Sequence, residues 1–418
     1  MEGNGDVNVS TGKLIVVMVI FACLLAGLFI AFYYSPSKFF ADSRHEGISL
    51  VKDNQEMGVY YNRTSYYSAR DVPYRHNRIE YPPLGVLYLT IPAFFTHSFL
   101  GYEYALVIQN SILALILVVV SYQLLRTFKR SGWWLCLLVL PSFLFFTINR
   151  FDIFSTVLVQ LSLLLLLKRR FTWSFVILSL AFLAKGYALV LFPVFFVYWL
   201  NQTKFSSLNL FKNKYALIMV LPTVIVTAVI CLLAGLENGL FPYIFQSTRH
   251  FNYGAVPTIY LEALRTALPA WLWSGGVTVV GYMLLLLQYI LPILIYAGYN
   301  LFRRFIKTEA DLVRWSSLVL LLYILFSPYY SPQWFVWLLP LFILVFRGDF
   351  KIVGLIIFYD LLNYLQFPVV YNYLGFVSVP FNIVVLVRTV LLVVFLLVVA
   401  GKFLEQYKKT SRPAAIAG

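Results

Sequence analysis

The chain has 418 residues, of which 61% are hydrophobic and only 12% charged, and a mean hydropathy of +0.82. This excludes an ordinary water-soluble domain, and apolar runs of about 18 residues or more recur along it as membrane helices do. The net charge of +15 does not point to nucleic acid, because the basic residues gather in short loops between apolar runs, as the positive-inside rule requires.

The polar leader 1–13 is short, and the apolar run 14–34 lacks a small-residue cleavage site, so it reads as a retained helix rather than a signal peptide. Further spans are predicted at 103–125, 133–149, 153–168, 172–185, 188–200, 215–235, 273–301, 312–327, 333–346, 352–367 and 381–400. Several fall short of the roughly 20 residues a crossing needs, which implies tilt or packing against protein. With the N-terminus inside, twenty of the 32 Lys and Arg residues are cytoplasmic and every short inner loop is basic. The chain therefore reads as one all-α, polytopic membrane domain over 1–418 with twelve crossings and both termini cytoplasmic. Cys23, Cys136 and Cys231 all lie in apolar runs, with no CxxC, and read as packing residues.

The outer face is more elaborate. It holds a long loop at 35–82, a second at 236–270, all four histidines, and the aromatic–proline corners FPYIF, SPYYSPQWF and FPVVYNY. Single aromatic residues at an interface can be simple belt anchors, but the asymmetry between the faces places the active face outside the cytoplasm. The first loop carries Asp42, Glu46, Asp53, Glu56, Asp71 and Glu80, and re-enters the membrane through RIEYPPLGVLYLTIP. Pro82 and Pro83 make a rigid corner there, since proline lacks an N–H and keeps the preceding residue extended. Glu80 and Tyr81 sit on that corner. Asp42 lies shortly after the first span, in FFADSRHEG, where a lipid head group would lie.

A first span followed by Asp42, a long outer loop and EYPPLGVLYLTIP resembles the GT-C superfamily of glycosyltransferases, multi-span enzymes that take a sugar from a polyprenyl-phosphate carrier. The YPPL segment is similar to that of the actinobacterial polyprenol-phosphate-mannose-dependent mannosyltransferases. NRFDIFSTVLVQLSLLLLLKRR and LSLAFLAKGYALVLFPVFF resemble the arginine–aromatic–Asp and Lys-containing helices of the same group. SPQWFVWLLPL, with Gln333, is similar to a segment of the first mannosyltransferase of glycosylphosphatidylinositol assembly. That enzyme has a paired Asp-x-Asp-like signature in its loop; here Ser43 and Arg44 follow Asp42, which argues against a metal role there.

The resemblance implies a GT-C-like bundle of about 12 spans. It also implies transfer of a sugar, with mannose favoured, from a polyprenyl-phosphate donor to a lipid, glycan or protein acceptor at the extracytoplasmic face. Such chemistry needs one carboxylate as general base and cations to neutralise the departing phosphate; direct displacement then inverts the anomeric carbon. Asp42 is the expected base, with Asp53 and Glu80 as alternatives. Substrate contacts are expected from Glu80, Tyr81, Arg150, Asp152, Lys185, His45, Gln333 and Arg388, with Lys185 meeting the lipid phosphate. For Asp152 a local ion pair or helix cap is an equal alternative; Lys185 alone could simply snorkel. No HExxH or Cys/His spacing is present, so no cofactor is implied, though a divalent metal stays open.

Asp360 and Arg388 are charged residues inside predicted spans, each about 10 Å deep at 1.5 Å per residue. Charge at that depth is costly and usually paired, so the two are expected to face each other across the last hairpin, chiefly as a structural ion pair. The rival function is a secondary transporter or lipid flippase, which would carry inverted repeats and broken helices; no repeat is apparent.

Overall fold

The computed structural model describes residues 11–35, 49–203, 214–248, 254, 270–346, 350–375 and 378–411. Their regular elements are all helices, with no β-strand among them. Among the described residues, four helices are long and apolar enough to cross a membrane: Leu14–Tyr34, Phe99–Thr127, Phe350–Leu374 and Val379–Phe403. A fifth candidate is Gly132–Val139 with Pro141–Asn149, bent by 69° at their junction. Several other apolar helices, among them Asp152–Leu167 and Phe171–Ala184, are 10–17 residues long, matching the expectation that several segments are too short to cross straight.

Helix α1 (Thr11–Tyr34) buries Val17, Phe21, Leu25 and Phe32, a stripe at near-helical spacing, while its other faces are exposed and apolar. Beyond the undescribed residues 36–48, Lys52 and Glu103 form an ion pair of 3.0 Å in which both side chains are buried. The Lys52 Nζ also lies 4.3 Å from the Phe32 ring centre. Burying two charges repays its desolvation only with close pairing of this kind. The pair ties the start of α2 (Asn54–Arg63) to α1 and to the first turn of α4 (Phe99–Thr127).

Between them, α3 (Pro83–Thr90) starts as the double proline demands: Pro82 is extended and Pro83 occupies the first turn, where its missing N–H costs nothing. Gly85 then allows close approach. A Cβ there would meet the Ala184 carbonyl oxygen at 2.7 Å and Phe151 at 3.2 Å.

After α4 the chain bends at Leu140 into α5 (Pro141–Asn149), and the extended Arg150 separates α5 from α6 (Asp152–Leu167). Helices α6 and α7 (Phe171–Ala184) form an antiparallel hairpin. Ser162 and Ser174 hydroxyls donate to each other's backbone carbonyls at 2.8 and 2.9 Å, and Ser155 donates to the Ala181 carbonyl at 3.1 Å. Small hydroxylated residues let apolar helices pack closely and satisfy their polar groups in doing so.

Helix α8 (Phe192–Thr203) follows a short 3-10 turn, Gly186–Leu191. Helices α9 (Lys214–Ala234) and α10 (Leu236–Thr248) turn about Gly235, whose φ of +88° suits glycine. Thus the predicted second outer loop opens with a helix. The remaining elements are α11 (Ala270–Ala297), α12 (Glu309–Phe326), α13 (Phe335–Val345), α14 (Phe350–Tyr364) and α15 (Val379–Ser411). Every residue of α13 is buried, which makes this uniformly apolar helix a central post of the bundle.

The predicted Asp360–Arg388 ion pair does not form. Asp360 instead accepts the backbone N–H groups of Ser142 and Phe143, both at 3.0 Å. These are free donors at the start of α5, exposed by the bend and by Pro141, and a carboxylate is a strong acceptor for them. Arg388 points to other partners: it donates to Gln366 Oε1 at 2.7 Å and to the Gly254 carbonyl at 2.6 Å. Helical depth alone placed both charges at one level but left their direction about the helix axis open.

Candidate functional site

The ends of many elements converge on one cavity of about 980 Å³. Its wall is drawn from segments 53–59, 80–82, 182–189, 242–245, 329–337 and 366–371, together with Arg150, Gly254 and Phe381. These are the connections that the sequence assigns to a single face, and they are distant in the chain. Such a space, about half aromatic with convergent polar groups, has the character of a small-molecule site.

Arg150 organises one end. Its Nη2 pairs with Asp53 Oδ2, and its Nη1 lies 2.7 Å from Glu56 Oε2. Asp53 caps α2, with Oδ1 accepting the Glu56 backbone N–H at 3.1 Å. The cap itself is held by Asn149, whose Oδ1 accepts from the Asp53 backbone N–H at 2.9 Å and whose Nδ2 donates to the Val51 carbonyl at 3.0 Å. Asn110 of α4 donates to the Ile148 and Arg150 carbonyls at 3.0 and 3.3 Å, and accepts from the Tyr88 hydroxyl at 2.6 Å. The break between α5 and α6 is therefore satisfied by a buried amide, as backbone groups away from water must be.

The two carboxylates on Arg150 differ. The Asp53 side chain is 1% exposed and that of Glu56 is 29% exposed. Burial pushes the Asp53 carboxyl above its ordinary 3.8, by more than the Arg150 guanidinium lowers it. Burial acts on Glu56 in the same sense, but there the Arg150 charge and hydrogen bond, with Lys185 beyond, outweigh it, and the net shift is below the ordinary 4.5. Environments that push two neighbouring carboxyls apart separate their roles: Asp53, the more deeply buried, anchors the start of α2 on Arg150, and Glu56, the more exposed, is the one whose charged form Arg150 favours. The Tyr81 hydroxyl donates to Glu56 Oε1 at 3.3 Å.

A second cluster adjoins it. Asp152 is fully buried and accepts from Lys185 Nζ at 3.0 Å and from Trp337 Nε1 at 2.8 Å. The Lys185 Nζ lies 4.1 Å from the Phe151 ring centre. Trp337 stacks on Tyr187 with ring centres 4.0 Å apart and planes 8° apart, and on Trp334 at 5.0 Å and 20°. One hidden carboxylate thus orients a cation and an aromatic platform together.

Of the residues singled out by sequence, Glu80, Tyr81, Arg150, Lys185 and Gln333 line the cavity. Glu80 does so with both oxygens close to Arg63, at 2.9 and 3.2 Å. Asp152 takes the local ion-pair role and lies behind the wall; its partner is Lys185 rather than Arg150. Arg388 is buried behind the wall, where it meets the lining residues Gln366, Gly254 and Tyr330. Asp42 and His45 lie outside the described residues. Sequence reasoning did not single out Glu56, Tyr187, Trp337, Asn149 or Asn110. For Glu56 a signal exists: Asp53-x-x-Glu56 has the spacing of a helix cap and its third residue. Among the described residues, no group of His, Cys, Asp and Glu is arranged to hold a metal ion.

No protein-family model matches this chain, and no curated protein is a significant match to it.

Proposed function

We propose that this chain is an integral-membrane glycosyltransferase of the GT-C type, with about 12 crossings, cytoplasmic termini and an extracytoplasmic site. It moves a sugar, mannose in the favoured case, from a polyprenyl-phosphate carrier to a lipid, glycan or protein acceptor. The observation that carries this reading is the cavity in which an ionised Glu56, backed by Arg150, faces an aromatic platform of Trp334, Trp337 and Tyr187 beside Lys185. Aromatic faces suit the apolar faces of a sugar ring, and a single carboxylate suffices as base when the leaving group is a phosphate.

In the proposed step a carboxylate takes the proton of the acceptor hydroxyl, and the acceptor oxygen attacks the anomeric carbon. The bond from that carbon to the phosphate oxygen breaks, and the electron pair leaves with the phosphate. One displacement inverts the centre. Glu56 supplies the base among the described residues; Asp42 is the candidate from sequence, and a single experiment separates them. Purified protein is reconstituted with synthetic polyprenyl-phosphate [14C]mannose and a membrane lipid extract, and labelled product is measured. Wild type should transfer label, and the variant of the true base, Glu56→Gln or Asp42→Asn, should lose about 10²–10⁴-fold. Full activity in both variants removes both residues as base. Passage of the labelled carrier between leaflets without any product would overturn the reading in favour of a transporter or flippase.

A further inference from the structure

Among the described residues, the charges around the cavity do not balance locally. Three cations are matched: Arg150 by Asp53 and Glu56, Lys185 by Asp152 at 3.0 Å, and Arg63 by Glu80 at 2.9 Å. The fourth is Arg388, fully buried on α15. Among the described residues no carboxylate pairs with it. Its partners are neutral: Gln366 Oε1, the Gly254 carbonyl, and the face of Tyr330, whose ring centre is 3.5 Å from the guanidinium carbon. Its Nε is buried and finds no acceptor among the described residues. Guanidinium does not shed its proton in proteins, and an uncompensated buried charge is expensive, so such groups mark function.

All three of its neutral partners line the cavity, as does Phe381 about two turns before it on the same helix. Arg388 therefore sits one layer behind the wall, with an excess positive charge directed at the space. Gln366 is also adjacent in the chain to Phe367, over whose ring the Arg150 guanidinium carbon lies at 5.6 Å.

We infer that the Gln366–Tyr330–Gly254 end of the cavity is an anion subsite, charged by Arg388 from behind, and that it takes a phosphate group. Resting on the proposed function, this assigns the carrier phosphate to the Arg388 end rather than to Lys185, whose charge Asp152 already neutralises. Arg388 is a positioning residue, since its side chain does not reach the cavity surface. A charge one layer away in a medium of intermediate dielectric alters the affinity of an anion by about tenfold or more.

The test reads binding alone. Full-length protein in lipid nanodiscs is titrated with farnesyl phosphate, farnesol and inorganic phosphate, followed by calorimetry. Wild type should prefer farnesyl phosphate to farnesol by about tenfold or more. Arg388→Gln should erase that preference and Arg388→Lys should keep it. Gln366→Glu, which supplies the missing carboxylate while leaving Arg388 in place, should erase it too, so the test survives a failure of Arg388→Gln to fold. Lys185→Gln should retain it. Equal saturation by inorganic phosphate would identify a free anion as the occupant and still support the subsite; much weaker saturation would identify the lipid phosphate. The inference is overturned if wild type shows no preference, if Gln366→Glu keeps it, or if Lys185→Gln alone removes it. Absence of sugar transfer in the assay above would leave this result intact.

Discussion

Two carboxylates three residues apart end up with different roles because their surroundings differ. Glu56 has its folded carboxyl pulled below 4.5 by Arg150, so its contribution to stability is present above the ordinary value and is lost as pH falls through the folded one. Asp53, with its carboxyl pushed above 3.8 by burial, acts in the opposite sense: its contribution is present below the ordinary value and is lost as pH rises through the raised one. Glu56→Gln should therefore flatten the fall in Tm on the acid side of pH 4.5, and Asp53→Asn should remove the loss that develops as pH climbs above 3.8. Thermal unfolding across pH 3–7 (about those limits) measures both; an unchanged acid slope in Glu56→Gln would show that the Arg150 pair carries no proton linkage. The spacing of Asp53 and Glu56 was legible as a helix start, but their common partner, Arg150, is about a hundred residues away, and nothing local announces it.

At the scale of elements, the double-proline corner and Gly85 act together. The prolines set where α3 begins, and Gly85 lets it rest against the end of α7, next to Lys185. Gly85→Ala puts a methyl group into the Ala184 carbonyl and should cost about 1–3 kcal/mol. Gly27→Ala, where nothing lies within 4 Å, should be neutral or stabilising by up to about 1 kcal/mol. Comparing the two by denaturation separates the close approach from general helix propensity.

The same scale holds the corrected pair. Because Asp360 caps α5 and Arg388 serves the cavity wall, a double-mutant cycle of Asp360→Asn with Arg388→Gln should give a coupling below about 0.5 kcal/mol. A direct buried ion pair would give several times more. Asp360→Leu, which strands two backbone N–H groups, should cost about 2–5 kcal/mol.

For the whole molecule, the apolar outer faces of α1, α4 and α15 and the gathering of distant connections around one cavity describe a membrane protein with a cluster of polar and charged groups at that cavity. Orientation is testable. With Cys23, Cys136 and Cys231 replaced, Ser68→Cys should react with an impermeant maleimide on intact cells. Lys168→Cys should react only after permeabilisation. The reverse pattern would place the cavity on the cytoplasmic side.

Composition and the positions of apolar runs, prolines and basic turns established a helical membrane chain and named the face on which Glu80, Tyr81, Arg150, Lys185 and Gln333 would lie. Those properties follow from solvent preference and backbone geometry, which each residue carries wherever it sits. Which carboxylate meets Arg150, that Asp152 holds Lys185 and Trp337 together, and that Asp360 and Arg388 turn apart were decided by the packing of α5, α6, α13 and α15. Pairing depends on rotation about each helix axis and on the bends at Leu140 and Arg150, and a periodic apolar pattern does not encode either.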